Sequence, residues 1–342
     1  MTTTAVPFDV TPVQGLLRER GLIGGPIELR RIGEGHSNLT YILSDGERDL
    51  VLRRPPAPPI PPGGHDVLRE VRVQGALHGS GVPVAEILAV EDSGEVMGVP
   101  FYVMEHIPGT VATVRLPDAL ESPAERRRLG ELLIDTLAAL HHVDPLRAGL
   151  GDLVRPVGDV ERHLRRFAAI VPGELTGDLA GLLESLVAQA PPPAPRPTIV
   201  HGDFRLGNVM LAPTAPAQIL AVLDWELWTI GDPLRDVGYF LATYAIAEEP
   251  AHALTELSAA TLAEGWPSRG ELAARYAGHT GADLQDLSWY MAMALWKLAI
   301  LFRYHVVRLK DGIGDPYYAT PGLVDGFVRA ARQITTPSEV SQ

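Results

Sequence analysis

The sequence predicts an α+β chain with an N-terminal antiparallel β-sheet lobe and a larger, mainly helical C-terminal lobe. Short apolar runs separated by turn residues dominate up to about residue 105, and apolar stripes with helical spacing dominate beyond residue 120. With 342 residues, the chain is long enough for two lobes, each with its own core. A third feature is a polar motif at residues 201–224, which lies next to apolar strand-like runs and contains candidate functional side chains.

The first lobe begins with a short apolar-periodic segment that ends at Gly21 and predicts one small helix. A glycine-bearing turn at 33–38 and the hairpin signal Asp45-Gly46 then separate strand-like runs. A helix at about 66–78 precedes two further strands. The predicted strands are 27–32, 39–43, 49–53, 87–91 and 99–105.

The second lobe opens with Ser122-Pro123 and Glu125, a capping box with proline at the first helical position. One or two helices are expected between 157 and 190, and a strand at 198–200. The last third is predicted to be helical, and its segment 287–302 is apolar on nearly all sides, which favours a buried helix. The alternative is that Trp289, Trp296 and Arg303 line a substrate pocket.

The polar motif is His201-Gly202-Asp203, followed by Asn208 and then by Asp224. Phosphoryl transfer needs a base beside the acceptor hydroxyl and hard oxygen ligands for Mg²⁺ on the nucleotide phosphates. The order and spacing match the kinase signature, with glycine in place of its arginine and D-W-E in place of D-F-G. The alternative is an ordinary H-G-D turn and an unrelated carboxylate at a strand end.

The H-G-D form resembles the aminoglycoside phosphotransferase family of small-molecule kinases. This resemblance implies a protein-kinase-like, two-lobed fold that uses Mg²⁺ and takes ATP (or GTP) as co-substrate. It also implies that Asp203 is the catalytic base, that Asn208 and Asp224 are the Mg²⁺ ligands, and that His201 supports the loop. His141 is expected to pack under this loop. The cluster His141-His142 with Asp144 does not predict zinc, because adjacent histidines point to different helix faces.

The turn at Gly33 and Gly35 can bring backbone N–H groups close to phosphates, because glycine permits close approach. Taken alone, the pattern is equally typical of a hairpin loop. Its position matches the phosphate-covering flap of the resembling family, which makes Ser37 and Asn38 candidate phosphate contacts.

Arg53 ends the third strand, where kinases carry a lysine that binds the nucleotide phosphates and pairs with a glutamate. Arginine is not equivalent to lysine there, since it is a planar fork rather than a point charge. Glu70, on the following helix, is the candidate partner, and the alternative is an exposed glutamate. The proline-rich stretch from Pro55 to Gly63, with residues 289–299, resembles the branch associated with acyl-CoA dehydrogenases. A polyproline II ligand is the alternative for the prolines.

The strand at 99–105 ends where the two lobes of the resembling family are hinged. Adenine is expected to bond to backbone groups near Glu105 and Ile107. The resemblance therefore divides the chain into a nucleotide-binding lobe, 1–107, and a helical lobe with the catalytic loop, metal ligands and substrate pocket, 108–342. Asp232, followed by Pro233, is expected to cap a helix. The resemblance implies that Asp236 braces the catalytic loop.

The amino-acid composition limits the classes of partner and the kinds of chemistry that are expected. A net charge of −13 and the absence of a basic run argue against a nucleic-acid partner. The absence of cysteine removes disulfides and thiolate chemistry. No signal peptide or membrane span is apparent, and we expect a cytoplasmic protein. The oligomeric state is not readable.

We therefore expect a kinase of a small-molecule hydroxyl. The resemblance favours a hydroxyacyl-CoA or related hydroxy acid as acceptor. Aminoglycosides, other antibiotics and choline-type alcohols are alternatives, because the fold is shared among such kinases. A nucleotide-binding pseudokinase or regulatory module is a further alternative, motivated by Arg53. A protein kinase is disfavoured, because no A-P-E segment follows Asp224.

Overall fold

The structure, a computed structural model, describes residues 8–32, 38–56, 66–154, 160–192, 194–247, 258–310, 312 and 316–335. The chain forms two compact units. The first consists of Met1–Gly109 and Leu220–Trp228, and the second of Thr110–Ile219 and Thr229–Gln342. The sequence prediction did not include the return of Leu220–Trp228 to the first unit.

The first unit is built on an antiparallel sheet of five strands, in the order β1-β2-β3-β5-β4. One helix precedes the sheet and a second follows β3, as predicted. The elements are α1 (Thr11–Glu19), β1 (Glu28–Ile32), β2 (Leu39–Ser44), β3 (Asp49–Arg54), α2 (Val67–Leu77), β4 (Ile87–Glu91) and β5 (Phe101–Glu105). The predicted antiparallel sheet is therefore confirmed.

The central strand β3 is covered on both faces. Leu50 and Leu52 lie in the cluster that also buries Val13 and Leu17 of α1, while Val51 on the opposite face is buried too. A strand buried on both faces is a continuous apolar run rather than an alternating one. This is why residues 50–52 are uniformly apolar, and it places Arg53 at the end of a fixed strand.

The second unit is mainly helical. Its helices are α3 (Pro123–His142), α4 (Val160–Ala168), α5 (Gly177–Ala188), α6 (Leu234–Thr243), α7 (Arg269–Thr280), α8 (Leu287–Lys310) and α9 (Leu323–Thr335). Short strands β6 (Thr198–Val200) and β9 (Thr229–Gly231) pair antiparallel, and β7 (Val209–Leu211) follows the H-G-D loop. The strand β8 (Ile219–Val222) crosses the division between the units. No helix in these described ranges is long and apolar enough to cross a membrane.

The long helix α8 is buried on most of its circumference, as its apolar pattern predicts. The indole N–H groups of Trp289 and Trp296 donate to carbonyls of α5, at 2.9 and 3.1 Å. These two side chains therefore hold α5 and α8 together instead of lining a pocket, and Arg303 is exposed. Where α6 approaches α8, a Cβ at Gly238 would lie 2.6 Å from Cβ of Tyr290, so this close approach requires glycine.

The start of α3 differs in one respect from the prediction. Ser122 accepts the backbone N–H of Glu125 at 3.2 Å, as a capping residue should. The carboxylate of Glu125, however, accepts the backbone N–H of Ala217 at 2.6 Å. The reciprocal half of the predicted capping box is therefore wrong, because a residue distant in sequence occupies that carboxylate. Both halves of a capping box are present at Ser268 and Glu271, at the start of α7.

Candidate active site

The H-G-D loop follows β6 directly, and its backbone is held by a buried carboxylate. Asp236 on α6 accepts the backbone N–H groups of His201 at 2.6 Å and Gly202 at 2.8 Å. Gly202 has a φ of +88°, a conformation that glycine adopts without strain. The expected brace from Asp236 is therefore present, and it fixes the turn that presents Asp203.

The same carboxylate is tied to α3 and α7. Oδ2 of Asp236 lies 3.3 Å from Nε2 of His141, whose Nδ1 lies 2.7 Å from the hydroxyl of Tyr276. Burial alone would raise the pKa of Asp236, but the hydrogen bond and charge of His141, the charge of His201 and the Gly202 N–H together lower it. His141 thus packs beneath the loop as predicted, and it belongs to a hydrogen-bond network.

Asp203 itself is only partly engaged. The amide nitrogen of Asn208 donates both to the backbone carbonyl and to Oδ2 of Asp203, each at 2.7 Å. Oδ1 of Asp203 is buried and has no hydrogen-bond partner, and Nε of Arg205 lies 3.5 Å from it. A buried carboxylate oxygen that accepts no hydrogen bond is costly unless a ligand donates one. This atom is therefore suited to accept a hydrogen bond from an acceptor hydroxyl.

The first unit contains a second charged cluster, centred on Arg53. Its Nε lies 2.9 Å from Oε2 of Glu70, and its Nη2 lies 2.7 Å from Oδ1 of Asp224. The expected contact between Arg53 and Glu70 is thus present, and Glu70 is buried rather than exposed. The guanidinium fork reaches both carboxylates at once, which a single ammonium would do less well.

Glu70 is supported by two further donors. The hydroxyl of Tyr102 donates to Oε2 at 2.9 Å, and the amide of Asn38 donates to Oε1. Burial raises the pKa of Glu70 despite the opposing charge of Arg53. Asn38 is 5% exposed and directed at Glu70, an arrangement that favours support of the ion pair over the phosphate contact expected from the sequence.

Tyr102 was not among the predicted residues. In the sheet it stands directly opposite Arg53 on the neighbouring strand. Cross-strand neighbours on one face interact, so the register of β3 and β5 was the signal that could have identified Tyr102. That register depends on strand pairing, which the sequence motifs alone did not give.

Asp224 occupies an unusual backbone position. It has φ 63° and ψ 61°, the left-handed conformation that a few non-glycine residues adopt at functional sites. The indole of the next residue, Trp225, is buried and donates to the carbonyl of Val222 at 3.0 Å. Burial of this indole fixes the turn and leaves the Asp224 side chain partly exposed.

Each of the two predicted Mg²⁺ ligands, taken by itself, keeps an oxygen of the kind that Mg²⁺ binds. Asn208 donates through its nitrogen, so its carbonyl oxygen is the atom left for a metal, and Asp224 has a second oxygen that Arg53 does not contact. Amide and carboxylate oxygens are the hard ligands that Mg²⁺ takes, usually one or two per ion besides phosphates and water. Within the described ranges, no group of three or more His, Asp or Glu side chains forms a metal cage.

The remaining predicted residues divide into two groups. Gly33, Gly35 and Ser37 lie outside the described residues. Glu105 ends β5, where its backbone N–H donates to the carbonyl of Glu86 at 3.0 Å. In the described part of the chain, the backbone N–H of Ile107 makes no hydrogen bond. This N–H is therefore available to donate to a ring nitrogen of adenine. The roles of these residues in nucleotide binding stay predictions.

A cavity of about 1010 Å³ lies in the second unit, lined by His141, Asp232, Tyr276, Tyr290 and the proline-rich connector at 192–197. Neither Asp203 nor Asn208 is among its lining residues. These two side chains of the H-G-D loop are therefore not part of the cavity wall.

Known proteins resemble this chain in sequence. Residues 28–272 match the phosphotransferase enzyme family. Mouse acyl-CoA dehydrogenase family member 10 is 34% identical over 71% of this chain, and chicken acyl-CoA dehydrogenase family member 11 is 38% identical over 64% of it. The matches cover 23% and 28% of those relatives, so the chain spans about a quarter of their length.

Solved structures share the fold. A candidate aminoglycoside phosphotransferase from Ralstonia eutropha superposes with a TM-score of 0.77 at 29% identity, covering 95% of this chain and 99% of that one. The macrolide 2'-phosphotransferase type I superposes with a TM-score of 0.63 at 18% identity, covering 98% and 99%. The predicted fold and the predicted phosphotransferase class are confirmed. The chain therefore belongs to the phosphotransferase enzyme family.

Proposed function

We propose that this chain is a small-molecule kinase that transfers the γ-phosphoryl group of ATP (or GTP) to a hydroxyl of a hydroxyacyl-CoA or a related hydroxy acid. The observation that carries the proposal is the buried Oδ1 of Asp203, which accepts no hydrogen bond in the described residues and lies on a loop held by Asp236. The sequence similarity to acyl-CoA dehydrogenase family members supports the acyl acceptor.

In this proposal Asp203 orients the acceptor hydroxyl and takes its proton. The acceptor oxygen forms a bond to the γ-phosphorus, and the bond from that phosphorus to the bridging oxygen breaks. The electron pair leaves with the nucleoside diphosphate. Such a reaction depends mainly on positioning and on charge stabilisation.

Other residues hold the nucleotide. Arg53 binds phosphate while Glu70 keeps its guanidinium in place, and backbone groups near Glu105 and Ile107 bind the adenine. Mg²⁺, when held by Asn208 and Asp224, would neutralise negative charge on the nucleotide phosphates. Among the structural neighbours, a thermostable aminoglycoside phosphotransferase forms a ternary complex with ADP and hygromycin B, which supports nucleotide and small-molecule binding by this fold.

The test is an acceptor panel with Mg²⁺-ATP: hydroxyacyl-CoAs, free hydroxy acids, aminoglycosides and choline, followed by nucleoside diphosphate release. Turnover restricted to acyl compounds, and lowered by about 10³-fold in Asp203→Asn, is the expected result. Turnover of aminoglycosides or choline alone would overturn the proposed acceptor but keep the kinase.

A second candidate is a nucleotide-binding regulatory module. It is favoured by the ion pair of Arg53 with Asp224, since that pair occupies one oxygen of a candidate metal ligand. Nucleotide binding by calorimetry, together with no turnover on any member of the panel, would support this alternative over the kinase.

A further inference from the structure

Arg205, two residues beyond Asp203, has a buried nitrogen that the reaction described above does not use. Nη1 of Arg205 makes no hydrogen bond in the described residues. Nε of the same guanidinium lies 3.5 Å from Oδ1 of Asp203, which is longer than a well-formed hydrogen bond. A buried donor without an acceptor is costly, so it indicates that a ligand supplies the acceptor. The side chain of Arg205 is 19% exposed, and a small rotation would bring Nη1 to a ligand at its exposed part.

Gly207 is required for this position of the guanidinium. A Cβ added at Gly207 would overlap Nη1 of Arg205 and would lie 3.0 Å from Cγ2 of Thr113. The backbone of Gly207 does not have a positive φ, so its lack of a side chain matters here for space and not for conformation. Because the guanidinium ends a flexible side chain, an alanine at this position would displace it and leave the loop backbone in place.

The two atoms without hydrogen bonds in the loop are of opposite kinds. Oδ1 of Asp203 can only accept while the carboxylate is charged, and Nη1 of Arg205 can only donate. The other oxygen of Asp203 is already taken by Asn208. A ligand that completes both atoms therefore carries a hydroxyl that donates and, a few bonds away, an oxygen that accepts. A hydroxyl near a carbonyl or carboxylate group has this pattern, whereas a hydroxyl near an ammonium group lacks the acceptor.

We propose that Arg205 binds a carbonyl or carboxylate oxygen of the acceptor while Asp203 binds the acceptor hydroxyl, so that the loop itself selects hydroxyacyl compounds. This inference rests on the proposed kinase function and names the group beside the acceptor hydroxyl for the same site. A guanidinium donates charge-assisted hydrogen bonds, which are stronger than neutral ones. It also keeps its proton beside a base, so it remains a donor throughout the reaction.

An oxygen of the transferred phosphoryl group offers the same chemistry to Arg205. In the proposed function, however, Arg53 and Mg²⁺ meet the charge of the phosphates, which leaves Arg205 for the acceptor. The two sources of the oxygen predict different kinetics. A contact with the phosphoryl group would help every acceptor equally, whereas a contact with the acceptor's own carbonyl or carboxylate would help only compounds that have this group.

The test uses two pairs of acceptors that differ in this group. β-Hydroxybutyryl-CoA is compared with its thioether analogue, in which a methylene replaces the carbonyl, and β-hydroxybutyrate with sec-butanol, in which a methyl replaces the carboxylate. We expect the wild type to prefer the carbonyl-containing member of at least one pair by roughly tenfold or more in kcat/KM, the size expected for hydrogen bonds to a charged group. Preference within the first pair identifies a thioester, and preference within the second identifies a carboxylate. Equal use of both members in both pairs would overturn the proposal.

The variant Arg205→Met removes the guanidinium, and Arg147→Met is the matched control. Nε of Arg147 lies 3.7 Å from a carboxylate oxygen of Asp144, a spacing close to that of Arg205 and Asp203, but its side chain is 91% exposed. We expect Arg205→Met to lose the preference and Arg147→Met to keep it. An equal loss of kcat/KM on both members of each pair in Arg205→Met would assign the guanidinium to the phosphoryl group and overturn the proposal.

A second variant, Gly207→Ala, displaces the guanidinium without removing its charge. It should weaken the preference in the same direction as Arg205→Met while the protein stays folded. Gly181→Ala is the control, because a Cβ at Gly181 in α5 meets nothing within 4 Å. A full preference in Gly207→Ala would contradict the proposal, since the observed position of the guanidinium would then not matter for the acceptor.

A binding measurement separates failure of this inference from failure of the kinase function. Both pairs of compounds are titrated calorimetrically, without nucleotide, into the wild type, Arg205→Met and Arg147→Met. Tighter binding of a carbonyl-containing member by the wild type and Arg147→Met, but not by Arg205→Met, would support the site even without turnover. Equal binding within both pairs, or no binding of any of the four compounds, would contradict it, whatever the acceptor panel gives.

Discussion

The Arg53 cluster of the first unit and the H-G-D loop of the second bury charge in opposite ways. Arg53, Glu70 and Asp224 satisfy one another through side chains, so a nucleotide or metal must compete with contacts already made. In the loop, backbone N–H groups donate to the buried Asp236 of α6, and Asp203, the proposed base, keeps one oxygen without a hydrogen bond in the described residues. The structural role and the proposed chemical role are thus divided between Asp236 of α6 and Asp203 of the loop, whereas they are combined in the Arg53 cluster. Removing the reactive group should therefore leave the loop folded, whereas removing Arg53 should affect both binding and stability.

The largest expected effect is on catalysis. Asp203→Asn should lower kcat by about 10³-fold, because a positioned base contributes roughly 10²–10⁴-fold. Its thermal stability should stay near that of the wild type, since Oδ1 makes no hydrogen bond in the described structure. Diphosphate release under saturating acceptor measures the rate, with Asp118→Asn at an exposed position as control. Full turnover by a folded Asp203→Asn protein would exclude Asp203 as the base.

The next effect is on stability. Asp236→Ala leaves two buried backbone N–H groups and His141 without their acceptor, which should cost about 3 kcal/mol of unfolding free energy. Because the folded state lowers the pKa of Asp236, its contribution is present above the usual value of 3.8 and is lost as pH falls through the folded pKa. The destabilisation should therefore shrink in acid.

Urea unfolding across pH measures this effect. Asp135→Asn is the control, because Asp135 pairs with Arg275 and His279 near the surface, where such pairs contribute about 0–1 kcal/mol. An Asp236→Ala protein as stable as this control would contradict the brace.

A smaller loss of stability is expected when Arg53 is replaced. Arg53→Met should destabilise the protein by about 2 kcal/mol, since Glu70 stays buried without its cation but can take up a proton. Nucleotide affinity should fall as well. The folded state raises the pKa of Glu70 above its usual value of 4.5, and loss of Arg53 should raise it further. The folded state then binds more protons than the unfolded chain, so the destabilisation should grow as pH rises above 4.5.

Calorimetric titration with nucleotide and urea unfolding test both parts of this prediction. Arg115→Met is a matched control, because Arg115 also contacts two carboxylates but is 71% exposed. If Arg115→Met and Arg53→Met lost equal stability, burial of the Arg53 pair would not be the cause.

The smallest effect concerns Tyr102. Tyr102→Phe removes one hydrogen bond to the buried carboxylate of Glu70 and should cost about 1–2 kcal/mol. Tyr41→Phe is the control in the same sheet, because the Tyr41 side chain is buried but its hydroxyl makes no hydrogen bond in the described residues. In thermal unfolding, Tyr102→Phe should lose more stability than Tyr41→Phe. A larger loss in Tyr41→Phe would argue against a role for Tyr102 in supporting Glu70.

The sequence by itself determined the elements and the chemistry. Uniformly apolar strands, helix-period leucines and turn residues follow local rules of burial and backbone geometry, so the sheet, α2 and α8 could be predicted. Asp203, Asn208 and Asp224 could be proposed as site residues because phosphoryl transfer requires those residue types in that order. Glu70 could be proposed as the partner of Arg53 from the kinase pattern.

Only the tertiary structure decided which groups pair. Tyr102 reaches Glu70 through strand register, Glu125 is taken by Ala217 instead of its own helix end, and Asn38 turns toward Glu70. Hydrogen bonds and ion pairs between distant residues depend on ångström-scale placement, which local sequence rules do not contain. The sequence therefore indicated a phosphotransferase, and the tertiary structure supplied the contacts among its charged side chains.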